Sequence, residues 1–160
     1  MAGYAQLGQA QNVFYLFKEM VSDDNIAPDI VTFLVLLMAC SHAGLVDEGQ
    51  ILFSGMHTFY CLSPALEHYT CMVDTFSRAG HFDKALTIIE EVPSSDRLSL
   101  WSALLGACCR TINVELARWA FEQSLQLDEM CGAAYICMEN IYARACMERE
   151  TPNIEYVTEK

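Results

Sequence analysis

The stretch from Pro28 to Gly49, PDIVTFLVLLMACSHAGLVDEG, decides the fold. Its run from Ile30 to Cys40 is strongly apolar but spans only 11 residues. A membrane-spanning helix needs about 20 such residues, so the run predicts a helix buried in a protein core. Gly44 suits the left-handed conformation in which many helices end. Beyond it, apolar residues return at helical spacing from Val46 onward. The stretch therefore predicts two successive helices joined by a tight turn.

The same pattern recurs along the chain. A five-residue segment opens with a cysteine or an aromatic residue, and its first three copies close with glycine. The copies are Tyr4–Gly8, Cys40–Gly44, Phe76–Gly80, Cys108–Ile112 and Tyr142–Cys146, at steps of 36, 36, 32 and 34 residues. Second helices are predicted over Ala10–Asp23, Val46–Thr58, Phe82–Val92 and Val114–Leu127. Two-helix repeats of this length bury their apolar faces only by stacking. The predicted fold is all-α, a right-handed α-solenoid of stacked helix–turn–helix repeats.

Small residues and prolines occupy the positions that such a repeat requires. Slim residues recur early in the second helices, where paired helices approach closely: Val13, Gly49, Ala85 and Ala117. Prolines fall between repeats, where a helix must stop: Pro28, Pro64 and Pro93. No stretch of useful length alternates with period two, so strands are not predicted.

Charge and cysteine usage narrow the function classes. The formal net charge is −12, with nine lysines and arginines in all. A protein that attracts nucleic acid through its overall electrostatic field is basic, whereas this chain is acidic. Strong autonomous binding of RNA or DNA is therefore disfavoured. The eight cysteines include no Cys-x-x-Cys pair. We interpret them as reduced core residues and expect neither a metal site nor a cofactor.

Four consecutive motifs resemble those of the pentatricopeptide repeat family. Pro28–Gly49 is similar to a long-type repeat of plant editing-factor arrays. EHYTCMVD at Glu67–Asp74, followed by Arg-Ala-Gly80, is similar to the short-type repeat. WSALLGAC at Trp101–Cys108 and AYICMENIYA at Ala134–Ala143 resemble the first and second motifs of the family's E region. The resemblance divides the chain into a partial repeat (1–29), a long-type repeat (30–66), a short-type repeat (67–97), an E-like helical repeat (98–131), and a truncated second E-like motif with an irregular tail (132–160).

The resemblance also implies residues that face RNA. Family repeats read one base each, with a residue near the start of the first helix and the residue before the next repeat. The implied positions are Asp29 for the first repeat, Leu34 with Ala65, Thr70 with Asp96 or Arg97, and Ser102. Only Thr70 with Asp96 is suited to hydrogen-bond a base. Phe53, Tyr69, Phe76 and Trp101 are expected in the core and not stacked on bases.

Enzymatic chemistry is not expected. The cytidine deaminases of this family use a zinc domain with His-x-Glu and Pro-Cys-x-x-Cys motifs. Glutamate follows none of the four histidines at that spacing. We therefore expect a non-enzymatic RNA-recognition or adaptor segment of an organellar C-to-U editing or RNA-processing factor. It would bind single-stranded RNA weakly by itself, recruit a deaminase or accessory protein, and need no membrane. The family's habit places it in a mitochondrion or plastid.

Two features keep other hypotheses open. Met1 falls inside the first helix of a repeat, and residues 147–160, with Pro152, do not continue the second E-like motif. We therefore expect a fragment or a decayed, non-functional copy of a longer array. Phe14, Phe17 and Met20 would then be partly bare and would promote self-association. The remaining alternative is a tetratricopeptide-like protein-interaction scaffold with no RNA role.

Overall fold

The computed structural model describes residues 1–23 and 26–145. Every regular element in that part of the chain is helical, which confirms the all-α helical-repeat fold. The α-helices are α1 (Ala2–Gln6), α2 (Ala10–Ser22), α3 (Ile30–Ala43), α4 (Val46–Tyr60), α5 (Leu66–Arg78), α6 (Phe82–Glu91), α7 (Leu98–Thr111), α8 (Val114–Leu127) and α9 (Gly132–Arg144). The four predicted second helices correspond to α2, α4, α6 and α8, with ends that differ by two residues or fewer. The predicted irregular tail and Cys146 lie outside the described residues.

The chain divides into two compact units, Met1–Ile88 and Ile89–Lys160. In the first unit, α3 contacts α1, α2, α4 and α5. Because neighbours cover α3 on several sides, its sequence is apolar almost all round and has no simple polar face. The α4 helix packs on both α3 and α5, so a helix of one repeat contacts the first helix of the next. The core of this unit includes Phe33, Leu36, Leu37, Met56, Met72 and Val73.

The second unit repeats this pairing. Here α7 packs on α8 and on α9, and α8 also contacts α9. A short 3₁₀ turn, Ser94–Asp96, leads into α7. The core includes Leu100, Trp101, Leu104, Leu105, Met138 and Ile141. Trp101 meets Trp119 edge to face, with ring centroids 5.0 Å apart. In each unit, therefore, a helix of one repeat packs on a helix of the next repeat, which is the contact that defines a stacked array.

The turns that end the first helices adopt the predicted left-handed conformation. Gly8, Gly44 and Gly80 have φ angles of 68°, 71° and 80°. In the fourth copy of the segment the same place is taken by Ile112, with φ of 55°. A β-branched residue is strained in this region, so the repeat geometry there is maintained without the residue that suits it.

Gly49 lies where helices α3, α4 and α5 approach closely, as the small-residue pattern predicts. A Cβ atom at this position would lie 3.4 Å from Cys40 Cβ and 3.8 Å from Thr75 Cγ2. The equivalent residues Val13, Ala85 and Ala117 are fully buried. Slim side chains at this register therefore allow the second helix of each repeat to pack closely.

Polar links join the first helices of neighbouring repeats in the first unit. His42 Nδ1 of α3 lies 3.0 Å from the carbonyl oxygen of Ala5 in α1. His68 of α5 is buried, and its Nε2 lies 2.9 Å from the carbonyl oxygen of Ile30 in α3. Ser41 Oγ donates to the carboxylate of Asp74 at 2.5 Å. These directional bonds fix the register of α3 against its neighbours in a way that apolar contacts alone do not.

Three of the seven described cysteines occupy the positions expected of small core residues. Cys40, Cys108 and Cys131 are buried, Cys71, Cys109 and Cys137 are half-buried, and Cys61 is exposed. Burial raises the thiol pKa of both Cys40 and Cys108 to about 12.

Residues 1–23 and 26–145 contain no helix long and apolar enough to cross a membrane. They also contain no group of three or more metal-ligating side chains.

Candidate nucleic-acid interface

Three predicted RNA-facing residues occupy the same register of three first helices. Leu34, Thr70 and Ser102 are each the fifth residue of their helix, in α3, α5 and α7 respectively. All three side chains are half-buried. Since residues at one register of repeated helices project in equivalent directions, each repeat presents this position in the same local setting.

The two hydroxyls at this register have the same hydrogen-bond geometry. Thr70 Oγ1 donates to the carbonyl oxygen of Leu66 at 2.9 Å. Ser102 Oγ donates to the carbonyl oxygen of Leu98, also at 2.9 Å. A hydroxyl has one proton and two acceptor lone pairs, so both oxygens keep acceptor capacity while their protons are used within the helix. Each side chain can therefore accept a hydrogen bond from an N–H group on the edge of a base.

The long-type repeat offers only hydrocarbon at this position. Leu34 carries no polar atom, and the preceding Ile30 and Val31 are 37% and 58% exposed. Ala65, the second residue implied for this repeat, immediately precedes α5 as its N-cap. This repeat can make apolar contact with a ligand but cannot read a base through side-chain hydrogen bonds.

Asp29 has a structural task at the start of α3. It is the N-cap of α3, and its Oδ1 accepts from the backbone N–H of Thr32 at 2.8 Å. The Thr32 hydroxyl donates to the same oxygen at 2.7 Å. The side-chain bond from Thr32, followed by the backbone bond, lowers the pKa of Asp29 below its ordinary value. Asp29 is exposed but is already engaged in capping α3.

The structure distinguishes Asp96 from Arg97, which the resemblance leaves as alternatives. Arg97 Nε donates to the carbonyl oxygen of Val92 at 2.7 Å, and its terminal nitrogen donates to the carbonyl oxygen of Glu90 at 2.8 Å. The guanidinium thus satisfies backbone oxygens at the end of α6. Asp96 is exposed and accepts a 3.2 Å hydrogen bond from Ser95. Of the two residues, Asp96 has the carboxylate that can reach an external donor.

Most cations in the described residues have partners within the chain. Arg78 forms an ion pair with Asp74 at 2.7 Å. Lys84 donates to Gln50 at 3.2 Å. Arg118 donates to the Tyr142 hydroxyl at 2.9 Å, and Arg144 donates to the carbonyl oxygen of Cys109. Nucleic-acid affinity depends strongly on cations that neutralise phosphates. With these groups engaged and a net charge of −12, few of the described cations are left to neutralise phosphates.

The aromatic residues considered for base stacking pack within the protein. Phe76 and Trp101 are buried. Phe53 and Tyr69 meet edge to face with ring centroids 5.2 Å apart. Phe76 and Trp101 match the core expectation, whereas Phe53 and Tyr69 are half-buried.

The three residues predicted for self-association are expected to be partly bare. Phe14, Phe17 and Met20 are half-buried. Phe17 meets Phe33 of α3 edge to face, with ring centroids 5.9 Å apart. The most exposed large side chains of α2 are Tyr15, at 61%, and Val21, at 47%. The helix therefore covers much of the predicted apolar stripe against α3.

Comparison with known proteins agrees with the repeat register. A model of the pentatricopeptide repeat, described as the PPR repeat, matches residues 1–25, 31–61, 67–96 and 99–128. The third match ends at Asp96, and the fourth covers most of the segment that resembles an E motif.

Curated relatives carry the same repeat in their names. A putative pentatricopeptide repeat-containing protein of Arabidopsis thaliana is 41% identical over 89% of this chain and 15% of its own length. A second Arabidopsis thaliana pentatricopeptide repeat-containing protein is 41% identical over 89% of this chain and 22% of its own length. A third is 42% identical over 86% of the chain and 17% of its own length. The chain therefore spans about a fifth or less of the length of these relatives.

Proposed function

Because the chain belongs to the pentatricopeptide repeat family, we propose that it is an RNA-recognition segment in which Thr70 and Ser102 read bases. The observation that carries the proposal is the shared geometry of the two hydroxyls. Both sit at the fifth residue of a first helix, and both use their proton on the preceding turn. A base edge with an N–H donor fits the remaining acceptor lone pairs.

The affinity of this segment alone is expected to be low. Specific protein–nucleic acid interfaces are strongly positive, whereas the arginines and Lys84 described above are held internally and the net charge is −12. Leu34 contributes no hydrogen bond to a base. The segment would therefore select among bases within a larger RNA-binding array more than it would supply binding energy.

Fluorescence anisotropy with single-stranded homopolymers at low salt tests this proposal. We expect the chain to discriminate among the four homopolymers of about 12 nucleotides, with weaker binding as salt rises. Thr70→Val keeps the shape of the side chain but removes the hydroxyl, so the discrimination should shrink by about fivefold or more.

Thr87→Val is the matched control, because Thr87 is an exposed threonine of α6 whose hydroxyl donates to the carbonyl oxygen of Asp83 at 3.0 Å. It has the same back-bonded geometry but lies on a second helix. Equal loss of discrimination in both variants would refute the assignment of Thr70. An absence of any base preference in the parent chain would refute the RNA role of this register.

The more specific version of the proposal concerns C-to-U editing. The order of long, short and E-like motifs favours an adaptor that recruits a zinc-dependent deaminase or an accessory protein. The likeness to plant organellar editing factors favours a mitochondrion or plastid. Co-expression with a separate cytidine deaminase domain, followed by size-exclusion chromatography, tests recruitment. Elution of the two proteins as independent species would contradict it.

Self-association through Phe14, Phe17 and Met20 is a separate part of the proposal. Half-burial leaves some apolar area on α2, while the net charge of −12 opposes contact between two copies. Light scattering at rising concentration distinguishes the two effects, and a constant monomer mass at high micromolar concentration would rule the association out.

A further inference from the structure

Helix α4 carries exposed apolar side chains as well as buried ones. Its inward face carries the buried Gly49 and Met56, which pack against the rest of the first unit. Its outward face carries Ile51, 69% exposed, and Phe59, 79% exposed. A helix of a folded protein is expected to be polar on its solvent side. Two large apolar side chains spaced eight residues apart along one outer stripe are therefore unusual, and they suggest a surface that another molecule covers.

Gly55 lies between these two side chains and keeps the stripe concave. A Cβ atom at position 55 would touch only the Phe59 ring, at 3.5 Å, so the glycine is not required by a close approach of backbone. Glycine inside a helix costs about 1 kcal/mol relative to alanine. Here it opens a shallow groove of about 630 Å³, lined by Asp47, Gln50, Ile51, Ser54, Gly55, Thr58 and Phe59. The groove has room for an apolar side chain between Ile51 and Phe59.

Large side chains also occupy the register of Ile51 in two other second helices, although one of them, Trp119, packs on Trp101 of α7. Ile51 is the sixth residue of α4, and the sixth residues of α2 and α8 are Tyr15 and Trp119. These are 61% and 40% exposed. The place of Phe59 in α8 is taken by Leu127, which is 40% exposed. In α6 the sixth residue is the exposed Thr87, so the apolar character is missing from that helix.

Charge decides which occupant fits the α4 groove. Asp47 is the charged residue in its lining, and Glu48 is exposed beside it in the first turn of α4. Lys84, the nearby cation, is held by Gln50. A second copy of the chain would bring another net charge of −12 and would be repelled. A phosphate backbone would be repelled for the same reason. A segment that carries lysine or arginine is attracted.

We propose that the outer face of α4 is a docking site for a basic amphipathic helix of a partner protein. The partner helix lays its apolar stripe along Ile51 and Phe59, places one aliphatic or aromatic side chain over Gly55, and pairs a lysine or arginine with Asp47. This is the helix-in-groove mode of recognition, in which a few apolar anchors supply affinity and rim charges set orientation. The site is independent of the base-reading register and stands even if the RNA proposal fails.

The test uses a fluorescein-labelled amphipathic peptide of leucine and lysine, about 14 residues or four helical turns long. Anisotropy at a moderate salt concentration should give a Kd on the order of 10 µM for the parent chain. Phe59→Ala should weaken binding by about tenfold, and Gly55→Leu, which fills the groove, should weaken it by at least as much. Asp47→Asn should weaken binding by about two- to fivefold.

Three controls make the result decisive. Leu7→Ala removes a side chain that is 73% exposed and lies outside the groove, so it should leave binding unchanged. The glutamate version of the peptide should not bind. Circular dichroism establishes that each variant folds. If Phe59→Ala does not fold, Ile51→Ala serves as a second variant of the groove. Equal weakening by Leu7→Ala or full binding by Gly55→Leu would each overturn the proposal.

Discussion

Three buried serines allow the energetics of the helix contacts to be tested with one kind of substitution. Ser41, Ser77 and Ser124 are 4%, 0% and 0% exposed. Ser41 donates to the Asp74 carboxylate, and Ser124 donates to the carbonyl oxygen of Ala120 at 2.9 Å. The hydroxyl of Ser77 has no hydrogen-bond partner among the described residues. Replacement of each serine by alanine removes the same atom from three different electrostatic settings.

The expected changes differ in sign. An unsatisfied buried polar group costs about 1–3 kcal/mol, so Ser77→Ala should stabilise the chain by about 1–2 kcal/mol once the small void is deducted. A hydrogen bond to a charged group contributes about 1.5–3 kcal/mol, so Ser41→Ala should destabilise by about 1–2 kcal/mol after the better helix propensity of alanine is counted. Ser124 shares a carbonyl oxygen of its own helix, so its replacement should change stability by less than about 1 kcal/mol.

Urea unfolding followed by circular dichroism provides the assay. With an m-value of about 2 kcal/mol/M, each kcal/mol moves the midpoint by about 0.5 M. The only two tryptophans, Trp101 and Trp119, lie in the second unit, so their fluorescence follows Ser124→Ala separately from the two variants in the first unit. If Ser77→Ala destabilised the chain as much as Ser41→Ala, the Ser77 hydroxyl would have to be satisfied, and the reasoning would fail.

Other parts of the structure give predictions of different kinds. Gly49→Leu should destabilise the first unit by about 1–3 kcal/mol or more because its side chain would meet Cys40 and Thr75, whereas Gly106→Leu, with only the end of Arg110 within 4 Å, should be tolerated in the same urea assay. The lowered pKa of Asp29 means that its capping stabilises the fold above the pKa of the unfolded chain and is lost as pH falls through the folded pKa. Asp29→Ala should therefore lower the melting temperature near neutral pH and leave it unchanged in strong acid. An equal decrease at both pH values would contradict the prediction that the capping depends on the charge of Asp29. Iodoacetamide under native conditions should modify the exposed Cys61 well before Cys40 and Cys108, whose thiol pKa values are raised to about 12 by burial, and peptide mass mapping would show the order.

Local patterns in the sequence predicted the repeat and its turns. Glycine at positions 8, 44 and 80 indicated left-handed helix ends, and each has positive φ in the structure. The small residue at Gly49 indicated a close approach, which is confirmed because a Cβ atom at this position would lie only 3.4 Å from Cys40 Cβ. These features depend on single-residue preferences and on spacing, both of which are visible without coordinates.

Features that depend on tertiary partners could not be predicted in the same way. Nothing about isoleucine indicates a left-handed conformation at Ile112, where the repeat imposes it. Nothing in the local pattern around His42 indicates that its ring reaches Ala5 in another helix. The resemblance leaves Arg97 and Asp96 as alternatives, and nothing in the sequence indicates that the Arg97 guanidinium bonds backbone oxygens at the end of α6. In each case the outcome depends on the backbone. It depends on the backbone conformation for Ile112 and on backbone carbonyl oxygens for His42 and Arg97, and neither can be recognised from the side chains in the sequence.

The two links between α3 and α5 have a mechanical consequence. His68 ties the amino-terminal ends of these helices together, and Ser41 with Asp74 ties them near their carboxyl-terminal ends. Because they are linked at both ends, α3 and α5 resist moving apart or sliding along each other. The distance between these two adjacent repeats is therefore fixed. A single-stranded RNA lying across both helices would have to adjust the spacing between its bases to match this fixed distance. The stiffness of the RNA backbone would then affect which sequences bind, together with the identity of the bases.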